Sequence, residues 1–187
     1  MAISPTPVAL ITGATDGVGY ATAAALVRRG WRVGIVGRRA DRVERAATSL
    51  AAIEDGSSVT PIVADLALLT ETRRACQEFA AAHDRLDFML LNANAITQTR
   101  TLTDEGFESN FALGFLSRVV MTRTLDPVLR ATPGSHVMTV VGLNLSRLDF
   151  DDLTMSKEFS GQQALGTWQW AMQVWSRGYN QRQPVPM

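Results

Sequence analysis

The sequence predicts an α/β fold: a doubly wound parallel sheet with helices on both faces, shortened at its C-terminal end. Three observations carry this. Apolar runs of strand length alternate with longer segments of helical period. The strand runs are apolar along their whole length, as in parallel sheets buried on both faces. A glycine-rich turn stands between the first strand and the first helix. Right-handed crossovers then leave few other topologies.

Val8–Ile11 is the first strand, and Tyr20–Arg29 follows as an Ala-rich helix. Val33–Val36 is the second strand, with a helix over Asp41–Ala52 behind it. Val59–Val63 and a helix over Leu68–Ala82 make the third pair. Leu86–Leu91 is the fourth strand, and its helix is long, Glu105–Leu129. His136–Val141 is the fifth strand, and after a polar connector Ser160–Tyr179 is the last helix. Its apolar part, Ala164–Trp175, is expected to lie on a sheet edge, so that the chain looks cut where a further strand would begin. No repeat or low-complexity stretch interrupts the pattern, and residues 1–187 are expected to form a single domain, given ~150 residues per domain.

Composition excludes several function classes. Lys+Arg 18 and Asp+Glu 18 cancel, so no basic face for nucleic acid is expected. The single cysteine, Cys76, rules out an internal disulfide framework and a cysteine-built zinc site, and reads as a small buried hydrophobe. The two histidines, His83 and His136, are too few for a histidine-rich metal centre, so no metal is expected. His83 ends a helix, where a histidine suits the dipole. No apolar run reaches the ~18 residues of a membrane span, and Met1–Pro7 lacks the pattern of a secretory leader. A cytoplasmic protein acting on a small molecule is the expectation.

The segment Thr12-Gly13-Ala14-Thr15-Asp16-Gly17-Val18-Gly19 is the first candidate site. A pyrophosphate needs backbone N–H groups with no side chain in the way, and the following helix offers the positive end of its dipole. A plain tight turn is the alternative, but the strand-turn-helix context is the one a nucleotide requires. At the end of the second strand stands Gly37-Arg38-Arg39, with no acid before Asp41. Guanidinium forks match a 2′-phosphate, whereas an acid would hold a free ribose hydroxyl, so NADP(H) is expected over NAD. The alternative is a solvated arginine pair opening a helix.

These motifs together resemble the short-chain dehydrogenase/reductase superfamily, with its Rossmann-like fold. The turn is similar to the family's TGxxxGxG, and Asp65-Leu66 to the pair that contacts adenine. Asn92-Ala93-Asn94 resembles the NAG motif, with Asn94 in place of the glycine. Phe111 through Leu129 reads like the family's long helix, and Asp149–Leu153 like a connector of its retinol-dehydrogenase-like branch. The resemblance implies a nicotinamide cofactor and a homodimer or homotetramer built on the long helices. Arg118, Arg123 and Arg130 are then read as polar or solvated positions of that interface.

The catalytic tetrad does not carry over. Its asparagine falls on Gly114, its serine on Gly142, its tyrosine on Leu165 and its lysine on Gln169. Lys157 is the only lysine and Tyr20 and Tyr179 the only tyrosines, so no YxxxK pair exists in any register. Ketone reduction leaves an alkoxide that must be protonated, and losing the general acid costs ~10²–10⁴ in rate. An iminium carbon needs hydride alone, so imine-type reduction survives such a loss, with Glu108, Asp149, Asp151 or Asp152 as candidate carboxylates for the cation. The pattern resembles the bifunctional reductase/cyclases (Diels–Alderases) of fungal indole-alkaloid biosynthesis, which implies secondary metabolism and a templated non-redox cyclisation as a further option. A catalytically inactive nucleotide-binding protein is the alternative. Leu165, Trp168, Met172 and Trp175 form a helical stripe. It packs a core or a dimer contact, or presents Trp168 and Leu165 to a flat substrate.

Overall fold

The computed structural model describes residues 5–142 and 148–182. Five parallel strands form one sheet: β1 (Val8–Thr12), β2 (Arg32–Gly37), β3 (Val59–Val63), β4 (Phe88–Leu91) and β5 (His136–Thr139). Their order is β3-β2-β1-β4-β5, so the connection reverses direction between β1 and β4. In open α/β sheets that reversal opens a crevice beyond the carboxyl ends of the strands, where ligands bind. The helices α1 (Gly17–Val27), α2 (Ala40–Ala51) and α3 (Leu69–Ala82) follow the first three strands. Then come α4 (Ser109–Phe111), a π-helical stretch (Ala112–Leu116), α5 (Ser117–Ala131) and, after β5, α6 (Gly161–Arg182).

Side-chain alternation along β1 divides the core in two. Val8 and Leu10 pack with Met89, Leu91 and Val137 against Cys76 and Phe79 of α3 and Met121 and Leu125 of α5. Ile11 packs with Val33, Ile35 and Leu90 against α1 and α2, through Ala23, Val27, Val43 and Leu50. Each fully buried Leu or Ile contributes about 1.5–3 kcal/mol. Burial pushes the Cys76 thiol up to about 12, as suits the inert small hydrophobe it was expected to be. Pro61, which cannot donate to a ladder, is exposed on β3, the edge strand.

Three boundaries differ from the sequence expectation for a local reason. β4 begins at Phe88, because the Leu86 N–H is taken by the Thr132 hydroxyl (3.0 Å). The long helix begins at Ser109 and not Glu105, because Glu108 is its cap: the two carboxylate oxygens accept the N–H groups of Asn110 (3.0 Å) and Phe111 (2.8 Å). Glu105 instead reaches α3, accepting the Leu69 and Thr70 N–H groups at its first turn (2.6 and 2.9 Å). β5 stops at Thr139, since the Thr139 hydroxyl and the Val140 carbonyl are held by Arg118. The last helix does not need a sheet edge. It packs against α4 and the π-helical stretch, around Phe111, Trp168 and Ala171. Among the described residues no helix is long and apolar enough to cross a membrane.

His83 ends α3, as expected, but turns inward. It is buried against Phe79, with ring centroids 4.6 Å apart. Burial, assisted by Arg32, holds its pKa below the ordinary value, so the ring is neutral near pH 7.

Candidate functional site

The glycine-rich turn is shaped by contacts that leave no room for a side chain at Gly13 or Gly19. Gly13 has φ +63°, and a Cβ there would stand 2.9 Å from the Ala93 Cα. Gly17 has φ +54° and opens α1. Gly19 lies so close beneath the turn that a Cβ would meet the Gly13 carbonyl oxygen at 2.3 Å. The turn is tied to the end of β4. The Asn92 carboxamide donates to the carbonyls of Thr12 (3.2 Å) and Gly13 (3.1 Å).

A cleft of about 300 Å³ opens over this turn, in the range of small-molecule sites. Gly13, Thr15 and Asp16 line it from the turn, and Gly37, Arg38 and Arg39 from the end of β2. Asp65 and Leu66 line it after β3, and Asn92, Ala93 and Asn94 after β4. The structure thus gathers most of the expected cofactor residues around one opening at the sheet's reversal point. Arg42 joins them from the first turn of α2 and was not singled out from the sequence. The arginines are partly engaged. Arg39 holds Asp41 in a fork (3.1 and 3.0 Å), Arg42 lies 3.7 Å from Asp16, and Arg38 lies 3.9 Å from Asp65. Arg39, assisted by Arg45, keeps the Asp41 carboxyl below its ordinary pKa.

Two expected cofactor residues have other roles. The Thr12 side chain is buried: its hydroxyl donates to the Leu90 carbonyl (3.3 Å) and accepts from the N–H groups of Asn92 (2.9 Å) and Ala93 (3.0 Å). It clamps β1 to β4 and presents nothing to the cleft. The Val18 side chain is exposed on a separate apolar depression, with Phe88 and Met138.

Of the four tetrad positions Gly142 and Gln169 meet each other, whereas Gly114 meets Trp168. At Gly114, inside the π-helical stretch, a Cβ would lie 2.4 Å from the Trp168 indole. At Gly142 it would lie 3.2 Å from both carboxamide heavy atoms of Gln169. Gln169 is buried with its Oε1 unpartnered, and Leu165 packs on the cluster of Phe111 and Trp168. Trp168 is only 1% exposed, which corrects the substrate-facing option: the indole fills the interior.

The carboxylate candidates are also accounted for. Glu108 is spent on capping. Asp149 and Asp152 border a depression in front of α6, with Lys157 and Glu158, and Asp151 lies exposed in the same connector. Asp152 accepts from the Ser156 and Lys157 N–H groups (2.7 and 3.1 Å) and organises that turn.

Two buried polar residues on the long helix carry more than the sequence indicated. Asn110, one turn before Gly114, accepts the Thr97 N–H (2.8 Å) and donates to the Thr97 carbonyl (3.2 Å), fixing the loop after β4. Arg118, expected on the surface, is 2% exposed. Its guanidinium donates to Val140 O (2.8 Å), Thr139 Oγ1 and Ala93 O (3.2 Å), and lies 4.7 Å from the Trp168 ring centroid. No carboxylate among the described residues pairs with it, and burial brings its pKa down to about 10. The sequence signal was indirect: Arg118 falls one turn after Gly114, on the buried face of the helix.

Comparison with known proteins agrees with this architecture. Residues 7–144 match the family model for short chain dehydrogenases. The chain is 31% identical over 162 residues to human polyprenol dehydrogenase, covering 83% of this chain and 49% of the relative. It is 33% identical over 163 residues to mouse retinol dehydrogenase 14, covering 81% and 49%. It spans about half the length of these relatives. An alcohol dehydrogenase from Thermococcus sibiricus, solved with 5-hydroxy-NADP, superimposes with a TM-score of 0.76 at 22% identity, over 96% of this chain and 72% of that one. The Pseudomonas aeruginosa RhlG/NADP complex gives 0.73 at 25% identity, over 96% and 68%. The chain belongs to the short-chain dehydrogenase family.

Proposed function

We propose that this protein binds NADP(H) in the cleft over Gly13 and serves small-molecule metabolism in the cytoplasm without the family's Ser-Tyr-Lys proton relay. The carrying observation is the combination of a glycine-rich turn and three arginines at one end of the cleft with no ionisable hydroxyl or amine at Gly114, Gly142, Leu165 or Gln169. The glycines at 13 and 17 let backbone N–H groups approach a pyrophosphate, and the start of α1 adds its dipole. Arg38, Arg39 and Arg42 supply the cationic forks for a 2′-phosphate. Neighbouring structures carrying NADP or its 5-hydroxy form support this choice.

Bound NADPH supplies a hydride. With no proton donor at the tetrad positions, the acceptor that suits this chain is a preformed iminium carbon: hydride adds to it, the C=N π pair moves to nitrogen, and a neutral amine results. The asparagine role that the resemblance set on Gly114 passes to Asn110, whose carboxamide holds the loop bordering the cleft. Templating of a non-redox cyclisation, in secondary metabolism, uses the same cleft with no hydride leaving the cofactor. The long helices α5 and α6 form a homodimer contact, supported by Trp170 and Val174 exposed on α6.

The test is titration with NADPH and NADH, followed by turnover assays on simple ketones and on cyclic iminium ions. Tight NADPH binding, imine turnover and silence on ketones are expected. Substantial ketone reduction overturns the reading of Leu165 and Gln169. The burial of Gln169 and the packing of Leu165 favour a second reading, a nucleotide-binding protein without catalysis. NADPH binding with no iminium turnover and no change in a cyclisable substrate selects it.

A further inference from the structure

Burying an ionised side chain without a counter-charge is costly, so such a group calls for an explanation in terms of what it faces. Of the buried side-chain polar atoms left without partners among the described residues, Arg118 Nε and Trp168 Nε1 belong to side chains in contact, and Gln169 Oε1 belongs to the residue after Trp168 on α6. The guanidinium is solvated by two backbone carbonyls and a hydroxyl, which engage three of its five donors without cancelling its charge. One of those carbonyls is that of Ala93, and Ala93 lines the cleft. Leu113, also on the cleft wall, is five residues before Arg118 on the same helical run. A net positive charge is therefore set one peptide unit behind the β4 side of the cleft.

The arginines for the 2′-phosphate lie at the opposite, β2 side, at Arg38, Arg39 and Arg42. A dinucleotide laid across the reversal point from that anchor extends its other half toward β4 and β5. The nicotinamide ring is a cation when oxidised and neutral when reduced.

We propose that Arg118 is a specificity-determining residue for cofactor redox state, its uncompensated buried charge making the cleft favour NADPH over NADP⁺. This rests on the NADP(H) reading above. A unit charge acting through a protein interior of effective dielectric about 20 separates the two affinities by on the order of tenfold or more. The other two orphaned groups fit the same account: Trp168 offers its ring face to the cation, and Gln169 contributes a neutral carboxamide where a lysine would add a second charge.

The experiment measures dissociation constants of the intact chain for NADPH, NADP⁺ and 2′-phospho-ADP-ribose, which lacks the nicotinamide. Wild type is expected to bind NADPH about tenfold more tightly than NADP⁺. In Arg118→Met the ratio falls toward unity while 2′-phospho-ADP-ribose affinity holds, and Arg118→Lys keeps the ratio. If Arg118→Met does not fold, the wild-type ratio and the lysine variant still decide the matter. Failure of 2′-phospho-ADP-ribose to bind overturns the nucleotide reading and this inference with it. Binding of that fragment with equal affinity for the two redox forms, or an unchanged ratio in Arg118→Met, overturns this inference alone.

Discussion

Trp168 lies directly on the α-carbon of Gly114, at a separation that admits no side chain: a Cβ on Gly114 would fall 2.4 Å from the indole Cδ2 and 2.6 Å from Cγ. The two positions are coupled, and one of them is where the family's helix asparagine was expected. Gly114→Ala overpacks this contact and should cost about 1–3 kcal/mol. Trp168→Ala should cost about 3–5 kcal/mol, since the indole is fully buried and also covers Arg118. In the double variant the alanine at 114 meets no indole, so its cost should largely disappear. Denaturant midpoints of the four proteins measure this; additive losses would mean that the contact is not the source of the strain.

The three cleft arginines should differ in their effect on NADPH. Arg38 and Arg42 reach their acids only at 3.9 and 3.7 Å, whereas Arg39 is already forked to Asp41. Arg38→Ala and Arg42→Ala should each weaken NADPH binding about tenfold, the worth of a charge-assisted hydrogen bond, and leave NADH nearly unchanged. Arg39→Ala should lose less. Asp41→Asn, which releases Arg39 and Arg45, should tighten NADPH. Calorimetric titration at low and high salt checks all four, and an equal effect on NADH would remove the 2′-phosphate from the argument.

The fold was legible because its signals are local and repeated: fully apolar strands, helices of regular period, and glycines at a strand-helix junction. The cleft was legible for the same reason, since Gly13, Arg38, Asp65 and Asn92 each follow a strand and the sheet aligns strand ends without further information. What the sequence could not show depends on which face of a helix turns inward. Arg118 reads as surface by residue type, and its contacts at the ends of β4 and β5 and with Trp168 bury it. Glu108 reads as a free acid until the helix start is placed one residue later. Trp168 was ambiguous between core and substrate wall because a helical stripe fixes a face but not its neighbour.

Acid should destabilise the protein in two stages. His83 has a folded pKa below its ordinary value, chiefly through burial, so the unfolded chain takes up the proton first. Its contribution is complete above the ordinary histidine value of 6.5 and is lost as pH falls through the lower folded one. Asp87 behaves alike at lower pH. Burial opposes its ionisation, but the Arg85 fork and the Val8 N–H (2.8 Å) outweigh it and depress the pKa. Its contribution is complete above the ordinary aspartate value of 3.8 and declines below it. His83→Gln should flatten the first stage and Asp87→Asn should reduce the second, which Asp41, Glu105, Asp126 and Asp152 share, in unfolding free energies measured against pH. A first stage unaltered in His83→Gln would assign it to another group.

The proposed homodimer predicts a sharp response at α6. Val174 is 48% exposed there, near Trp170 at 37%, while Trp175 stacks on Tyr179 at 5.0 Å and supports the same helix from within. Val174→Asp should convert the dimer to a monomer with unchanged circular dichroism, because the side chain contributes little to the protomer's own core. Sedimentation at micromolar concentration distinguishes the states, and a monomeric wild type would sink the contact.

The two glycines at the start of α1 should fail in different ways. Gly17 has φ +54° with nothing within 4 Å of a Cβ, so Gly17→Ala meets only the left-handed backbone penalty of roughly 1–2 kcal/mol. Gly17→Asn should lose less, because asparagine tolerates that conformation. Gly19→Ala instead drives a methyl group to 2.3 Å from the Gly13 carbonyl oxygen and 2.8 Å from the Asn92 Nδ2. Relief requires moving the turn itself, which displaces the N–H groups offered to the pyrophosphate and breaks the tie to β4. Gly17→Ala should therefore lower stability with NADPH affinity reduced only a few-fold, while Gly19→Ala should abolish binding even in molecules that remain folded. Native NADPH affinity in Gly19→Ala would show that the cleft binds through its arginines alone and that the close approach of helix to turn is packing without function.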